Sequence, residues 1–361
     1  MRRRLLLSGS LSAVLPLPAG GQSQGWFDAD QRVSLSRQLI ALADQHRVPE
    51  VSVETVWRGM PDGSFATGRK GLFFQAASIS KVIAALSVMR LVERGTLPLD
   101  APINSILRSW QLTGAGADEV TPRLLLAHRA GTNVPGFPGY PADANLPTLI
   151  DILNGAPPAN TPRVRVERPP GATYLYSGGG TTVLQQLVAD VAGQPFDAVA
   201  TELVLQPVAM SARYTVPPAG AWTPAHDEHG QVLPGNYRLY PELAAAGLWC
   251  TALDLSQLIR AFGACWRGDA ALISPAAARL MTTQVASGPT GLGFFVRPRP
   301  DGVPLLYHYG VNAGFRSVIA FAADASFGLV IMTNGEGGRW LIPAFGRALF
   351  DARSLGDFPL A

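Results

Sequence analysis

Ser78-Ile79-Ser80-Lys81 sets a hydroxyl and an amine three residues apart, at the head of an apolar stretch running through Val82, Ile83, Leu86, Met89 and Val92 to Gly95. Residues i and i+3 share a helix face, so the amine of Lys81 can reach the hydroxyl of Ser78. At a helix N-terminus the dipole favours negative charge on the serine oxygen, and the local amide can donate to a developing oxyanion. The chemistry implied is nucleophilic: a serine attacks a carbonyl while a lysine takes its proton. That requires a neutral amine, obtained by burial or by a nearby cation. A serine three places before a given lysine arises about one time in fifteen from composition alone, so the pair draws its meaning from its surroundings. The chain has 27 arginines and only two lysines, Lys70 and Lys81. Arginine cannot be deprotonated and lysine can, which singles out a retained lysine.

Other candidates carry less. His226-Asp227-Glu228-His229 has metal-capable residue types, but it lies between Pro224 and Pro234 and reads as a solvated loop with no third cluster to complete a site. His128 follows an apolar run and reads as structural. Cys250 and Cys265 have no histidine nearby in sequence and read as buried structural thiols, about 20 Å apart if the stretch Leu253 to Phe262 is helical. There is no Gly-x-Ser-x-Gly elbow and no phosphate-binding glycine loop with a lysine.

The elements that must position Ser78 alternate in type. Val33 to His46 has helical spacing, Glu50 to Trp57 alternates as a strand, and Pro61-Asp62-Gly63 predicts a turn before a second short strand. An amphipathic helix is expected from Ser78 to Gly95. From Pro102 to about Pro241 helical segments mix with Gly- and Pro-rich loops, as in a mainly helical lobe. Leu305 to Tyr309, Ser317 to Ala322 and Gly328 to Thr333 have the spacing of an antiparallel sheet, and a helix over Leu341 to Phe350 closes the chain.

With 361 residues and 47% apolar content, the chain can bury a large core. A net charge of +3 from scattered basic residues argues against nucleic-acid binding. Met1-Arg2-Arg3-Arg4, an apolar stretch from Leu5 to Leu17 and then Pro18-Ala19-Gly20-Gly21 read as an export signal over residues 1–24, so a periplasmic or secreted protein is expected. No later apolar run is long enough to span a bilayer.

Phe73-Phe74-Gln75-Ala76-Ala77-Ser78-Ile79-Ser80-Lys81 resembles the nucleophile motif of the serine β-lactamase (class C) and penicillin-binding-protein superfamily. Leu97-Pro98-Leu99-Asp100 and Leu124-Leu125-Leu126-Ala127-His128-Arg129-Ala130-Gly131 are similar to stretches of that family in the same order, and the resemblance extends from about Gln38 to Gly338. It implies an α+β fold of β-lactamase/transpeptidase type: an antiparallel sheet flanked by helices, with an inserted mainly helical lobe. One domain over residues 25–361 is then expected, with one lobe from about 25–101 plus 242–361 and the helical lobe over about 102–241. The site would lie in the cleft between lobes.

The family's second motif, tyrosine, any residue, asparagine, falls on Tyr176-Ser177-Gly178. Tyr176 matches the catalytic tyrosine, a phenol able to shuttle a proton to a leaving group. Gly178 stands in the asparagine's place, which removes an amide that would position the substrate. The third motif, lysine, threonine or serine, glycine on a strand edging the site, matches His308-Tyr309-Gly310, similar to esterase-like branches. His308 can lend a hydrogen bond or positive charge near Tyr176, though at pH 7 a histidine is usually neutral, and Gly310 lets substrate approach the strand closely; by the resemblance the amide of Val311 joins that of Ser78 as the oxyanion hole.

The resemblance implies a serine hydrolase that forms an acyl-enzyme and needs no cofactor or metal. It offers three substrate classes: esters or small amides, peptides ending in D-amino acids, and β-lactams. Esters or small amides come first, because histidine in place of lysine removes a permanent charge for the antibiotic's carboxylate, and a hydrogen bond to a charged group is worth about 1.5 to 3 kcal/mol. A small-molecule or peptide substrate is the expected partner, and oligomeric state is not readable. The alternative of another class, a noncatalytic binding protein that kept the fold, has Ser78, Lys81 and Tyr176 against it.

Overall fold

The computed structural model describes residues 25–270, 272–286 and 288–360. The export-signal reading of residues 1–24 lies outside the described residues. Asp28 opens helix α1 (Ala29–Gln45) with a capping box, its side chain accepting from the Gln31 backbone and Gln31 reaching back, while Leu35, Leu39 and Ala43 bury one face. Strand β1 (Val51–Trp57) alternates in burial and pairs with β2 (Met60–Thr67).

The turn between these strands is not at Pro61-Asp62-Gly63. It is Arg58-Gly59, both at positive φ (51° and 74°), the two-residue geometry that matches strand twist. Pro61 to Gly63 lies inside β2 at a bulge, where the register jumps from Thr55–Gly63 to Val56–Pro61. The bulged Asp62 accepts from the Trp26 amide at 2.6 Å and pairs with Arg32 at 3.2 Å. A residue that signals a turn locally is here spent on contacts to a distant segment.

Strands β3 (Phe295–Arg297), β4 (Leu305–Asn312), β5 (Phe315–Ala322) and β6 (Phe327–Thr333) complete a six-stranded antiparallel sheet in the order β2-β1-β6-β5-β4-β3. Both ends of the chain thus build one sheet. β6 is buried at all seven positions, as a central strand covered on both faces must be. One face packs on α1 and the closing helix α6 (Gly338–Asp351) around Val53, Val318, Leu329, Ile331 and Phe345. The other face packs on α2 (Ser80–Glu93) and α5 (Ala252–Arg267) around Ile79, Ile83, Ile259, Phe262, Ile319 and Val330.

The second lobe is organised around α3 (Gly178–Ala192), with shorter helices and long loops about it, and a one-turn helix, α4 (Leu243–Ala246), leads the chain back toward the sheet. Helix α2 departs from the sequence expectation. It begins at Ser80 after a 3-10 turn over Ala77–Ile79, and every residue from Ser80 to Met89 is buried, so it is a core helix between the lobes instead of an amphipathic surface helix. Cys250 and Cys265 are free and buried.

Candidate active site

The nucleophile turn is held from three sides. The two-residue strand Phe74–Gln75 pairs with Trp249–Cys250, and the Ala76 amide donates to Leu248 O at 2.8 Å. The Ser80 hydroxyl donates to Ala77 O at 2.6 Å and accepts from the Leu248 amide at 3.0 Å. Ala77, just before Ser78, sits at φ 50°, a conformation an L-residue adopts only where its surroundings impose it. The turn delivers Ser78 partly exposed while its neighbours are buried.

Lys81 lies one helical turn on, buried, and its Nζ donates to Ser78 Oγ at 3.0 Å and to Ala245 O of α4 at 2.8 Å. Burial lowers its amine from 10.5 to about 7. Its fixed partners are a hydroxyl and a carbonyl, neither of which stabilises the charged form as a carboxylate would. At neutral pH the amine is therefore poised between donor and proton acceptor.

Tyr176 precedes α3, whose N-cap is Ser177; the Ser177 hydroxyl accepts from the Gly180 amide at 2.9 Å and donates to Asn133 O at 2.5 Å. The Tyr176 phenol lies near Ser78, and burial pushes it up to about 12, keeping it protonated. Its ring lies 5.2 Å from Lys81 Nζ and 6.4 Å from the His308 ring.

His308 on β4 is buried, and its Nδ1 lies 2.9 Å from Tyr309 O; against a carbonyl, that nitrogen is the donor. Burial, and secondarily the charge of Lys81, lower it to about 3. His308 is therefore neutral, as a histidine usually is at pH 7. It offers Nε2 as a hydrogen-bonding atom only.

The β4–β5 hairpin closes over two residues, Ala313 and Gly314, so Asn312–Phe315, Gly310–Ser317 and His308–Ile319 are the paired positions that exchange hydrogen bonds. The intervening amide of Val311 points away from β5, to the edge where β3 has ended, since β3 pairs only with Leu305 to Tyr307. Its N–H is thus left outside the β4–β5 ladder.

Two glycines of the motifs sit in close contact with their surroundings. A side chain at Gly310 would run into Ala76 O and the Ser317 hydroxyl, so this glycine permits the close approach of the nucleophile turn to β4. A Cβ at Gly178 would meet Phe137 Cε2 at 2.9 Å and Pro135 O at 3.1 Å. The space of the asparagine missing from the second motif is thus occupied by the Phe137 ring.

His128, read from sequence as structural, stands in the site. Its Nδ1 accepts from the Ser177 amide at 3.2 Å, its ring lies 4.4 Å from that of Tyr176, and burial, then Lys81 and His308, hold it well below the usual histidine range. It fixes the position of Tyr176. Only its presence in the stretch from Leu124 to Gly131 hinted at this. Asn312, also unforeseen, donates to Gln75 Oε1 at 2.8 Å and to Ala246 O at 3.1 Å, tying the strand of Val311 to α4. His226 is buried with Nδ1 3.0 Å from Asn334 O, so that segment is not wholly solvated, while Glu228 and His229 are exposed. Among the described residues no group of three metal-capable side chains converges.

The family described as Beta-lactamase matches residues 54–346. Esterase EstB of Burkholderia gladioli is 33% identical over 150 residues, covering 39% of this chain and 38% of that protein. The two curated relatives matched are covered over 38% and 62% of their own lengths, less than two thirds in each case. Among solved structures, the D-amino acid amidase from Ochrobactrum anthropi SV3 complexed with L-phenylalanine amide superposes with a TM-score of 0.73 at 18% identity, covering 91% of this chain and 99% of that one. The octameric penicillin-binding protein homologue from Pyrococcus abyssi gives a TM-score of 0.72 at 20% identity, over 91% and 78%. At such identities the likeness is one of fold.

Proposed function

The chain belongs to the Beta-lactamase family, and from that premise we propose that it is a serine hydrolase that acts on esters or small amides through an acyl-enzyme on Ser78. The observation that carries this reading is the 3.0 Å contact of Lys81 Nζ with Ser78 Oγ, made by an amine lowered to about 7. Neutral Lys81 takes the Ser78 proton as Oγ bonds to the substrate carbonyl carbon. The oxyanion is met by the amides of Ser78 and Val311. As the bond to the leaving alkoxide or amine breaks, Tyr176 gives it a proton and is reprotonated from Lys81. Water, deprotonated by the same groups, then adds to the acyl carbon and releases Ser78 and the acid.

Esters and small amides rank ahead of β-lactams because His308 is neutral and Gly178 carries no amide. Residues 25–361 act as one two-lobed domain in this reading, and residues 1–24 as its export signal. Intact-mass spectrometry after incubation with p-nitrophenyl acetate, and separately with penicillin, tests the reading on the wild type and on Ser78→Ala. A Ser78-dependent adduct or turnover is expected with the ester. Equal background in both proteins would leave a noncatalytic binding role.

A further inference from the structure

Against α4, whose Ala245 holds Lys81, lies a cavity of about 250 Å³ that the mechanism above does not use, lined by Gln75, Arg238, Tyr240, Leu243, Ala246 and Trp249 among others. It shares a wall with the catalytic centre. Ala245 O accepts from Lys81 Nζ, and Ala246, the next residue, lines the cavity. Gln75, three residues before Ser78, donates to Arg238 O at 2.8 Å and accepts from Asn312, which neighbours Val311. The Tyr240 hydroxyl accepts from the Ala313 amide at 3.0 Å. The wall is therefore tied to the strand that carries the oxyanion amide.

The lining is mostly apolar, with one cation. Among the described residues no carboxylate pairs with Arg238. Glu242, in the same segment, is fully buried, its carboxyl makes no hydrogen bond, and burial pushes it up to about 7, so it is a poor counter-ion. A partly buried arginine with no carboxylate partner, lining a mostly apolar cavity, suits a ligand with an apolar stem and an anionic end.

The side of the site on which this cavity lies decides which part of a substrate enters it. The leaving group must depart where Tyr176 can protonate it, toward His128 and His308. The acyl group lies on the other side of the scissile bond from the leaving group, and α4, whose Ala245 meets Lys81 and whose Ala246 lines the cavity, is the element that joins the two. Resting on the reading of Ser78 as nucleophile, we propose that this cavity is the acyl pocket and that Arg238 selects acyl groups ending in a carboxylate, so that half-esters or half-amides of short dicarboxylic acids are favoured substrates.

The test compares kcat/KM for mono-p-nitrophenyl glutarate and p-nitrophenyl pentanoate, acyl chains of equal length that differ in the terminal carboxylate. The wild type is expected to favour the glutarate by about tenfold or more, as a hydrogen bond to a charged group predicts, with the ratio falling as salt is added. Arg238→Gln should bring the ratio to near one, and Arg238→Lys should retain part of it. A ratio near one in the wild type, or one unchanged in Arg238→Gln, overturns the proposal. Should neither ester be turned over in a Ser78-dependent way, the hydrolase reading fails, and calorimetric binding to Ser78→Ala decides the pocket by itself. Glutarate binding over pentanamide that is lost in Ser78→Ala with Arg238→Gln supports it; no preference for glutarate overturns it.

Discussion

Lys81 Nζ donates to the backbone carbonyl of Ala245 at 2.8 Å, so the buried amine is held by a neutral dipole and not by a counter-ion. This arrangement fixes the lysine's aim at Ser78 without stabilising its charge, and the amine is lowered to about 7 as a result. The pH dependence follows. The base must be unprotonated, so kcat/KM for a neutral ester should rise about tenfold per pH unit below 7 and level off above it, one proton being lost. His308, held near 3, adds no limb between pH 5 and 8. A profile flat from pH 5 to 8 would exclude Lys81 as the base.

The same burial costs stability. Above pH 10.5 the amine is neutral in both states and imposes nothing; between 10.5 and about 7 the unfolded chain holds a proton that the folded chain lacks, so stability falls as pH falls. Below 7 the full cost is present, on the order of 5 kcal/mol at about 1.4 kcal/mol per pK unit. Lys81→Met, of similar shape, should abolish hydrolysis yet raise Tm by several degrees at pH 6.5, with little change at pH 11. Thermal melts at the two pH values check this; a lower Tm at pH 6.5 would mean that the amine's hydrogen bonds outweigh its desolvation.

Ser78, Lys81, Tyr176 and His308 were legible because each lies in a short motif whose residue types and order survive in one dimension. The strands β4 to β6 were legible because apolar runs between turn residues have few other solutions. What the sequence hid was made by contacts across long separations. His128 reaches Ser177 across the chain, Ala245 meets Lys81 from 164 residues away, and Gln75 meets Arg238 across 163 residues and Asn312 across 237. None of these has a local signal. Pro61-Asp62-Gly63 misled for the same reason: its turn propensity was overridden by the demand of Trp26 and Arg32 for the Asp62 carboxylate. Helix α2 has no polar face because both lobes cover it.

Gly310 sets the distance between the nucleophile turn and β4. A methyl group there meets Ala76 O, a backbone atom that cannot swing aside. Gly310→Ala should therefore cost about 1 to 3 kcal/mol by overpacking and, by shifting Ser78 relative to the Val311 amide, lower kcat about 100-fold. Because the obstacle is main chain, adding Ser317→Gly removes the hydroxyl contact without restoring activity. Full recovery in that double variant, read by ester hydrolysis and thermal melts, would show that the hydroxyl alone sets the spacing.

Gly178 and Phe137 form a second such pair, in which the nearest obstacle is a side chain and the Pro135 carbonyl, at 3.1 Å, is a lesser one. Asparagine at 178, which would restore the second motif's usual pattern, must place its Cβ 2.9 Å from the Phe137 ring as it now stands. Gly178→Asn alone is expected to destabilise by about 1 to 3 kcal/mol and to disturb Tyr176 two residues earlier, lowering ester hydrolysis. Phe137→Ala alone opens a gap beside an intact site, with a moderate loss of stability and little effect on kcat. Combined, the ring's removal makes room for the amide, so the double variant should be more stable than the sum of the two losses, by 0.5 kcal/mol or more as contacting residues show. It should also gain activity on amide substrates relative to esters, since the new carboxamide can hydrogen-bond a substrate N–H. Additive losses in the thermal double-mutant cycle would mean that Phe137 is not what fills the asparagine's place.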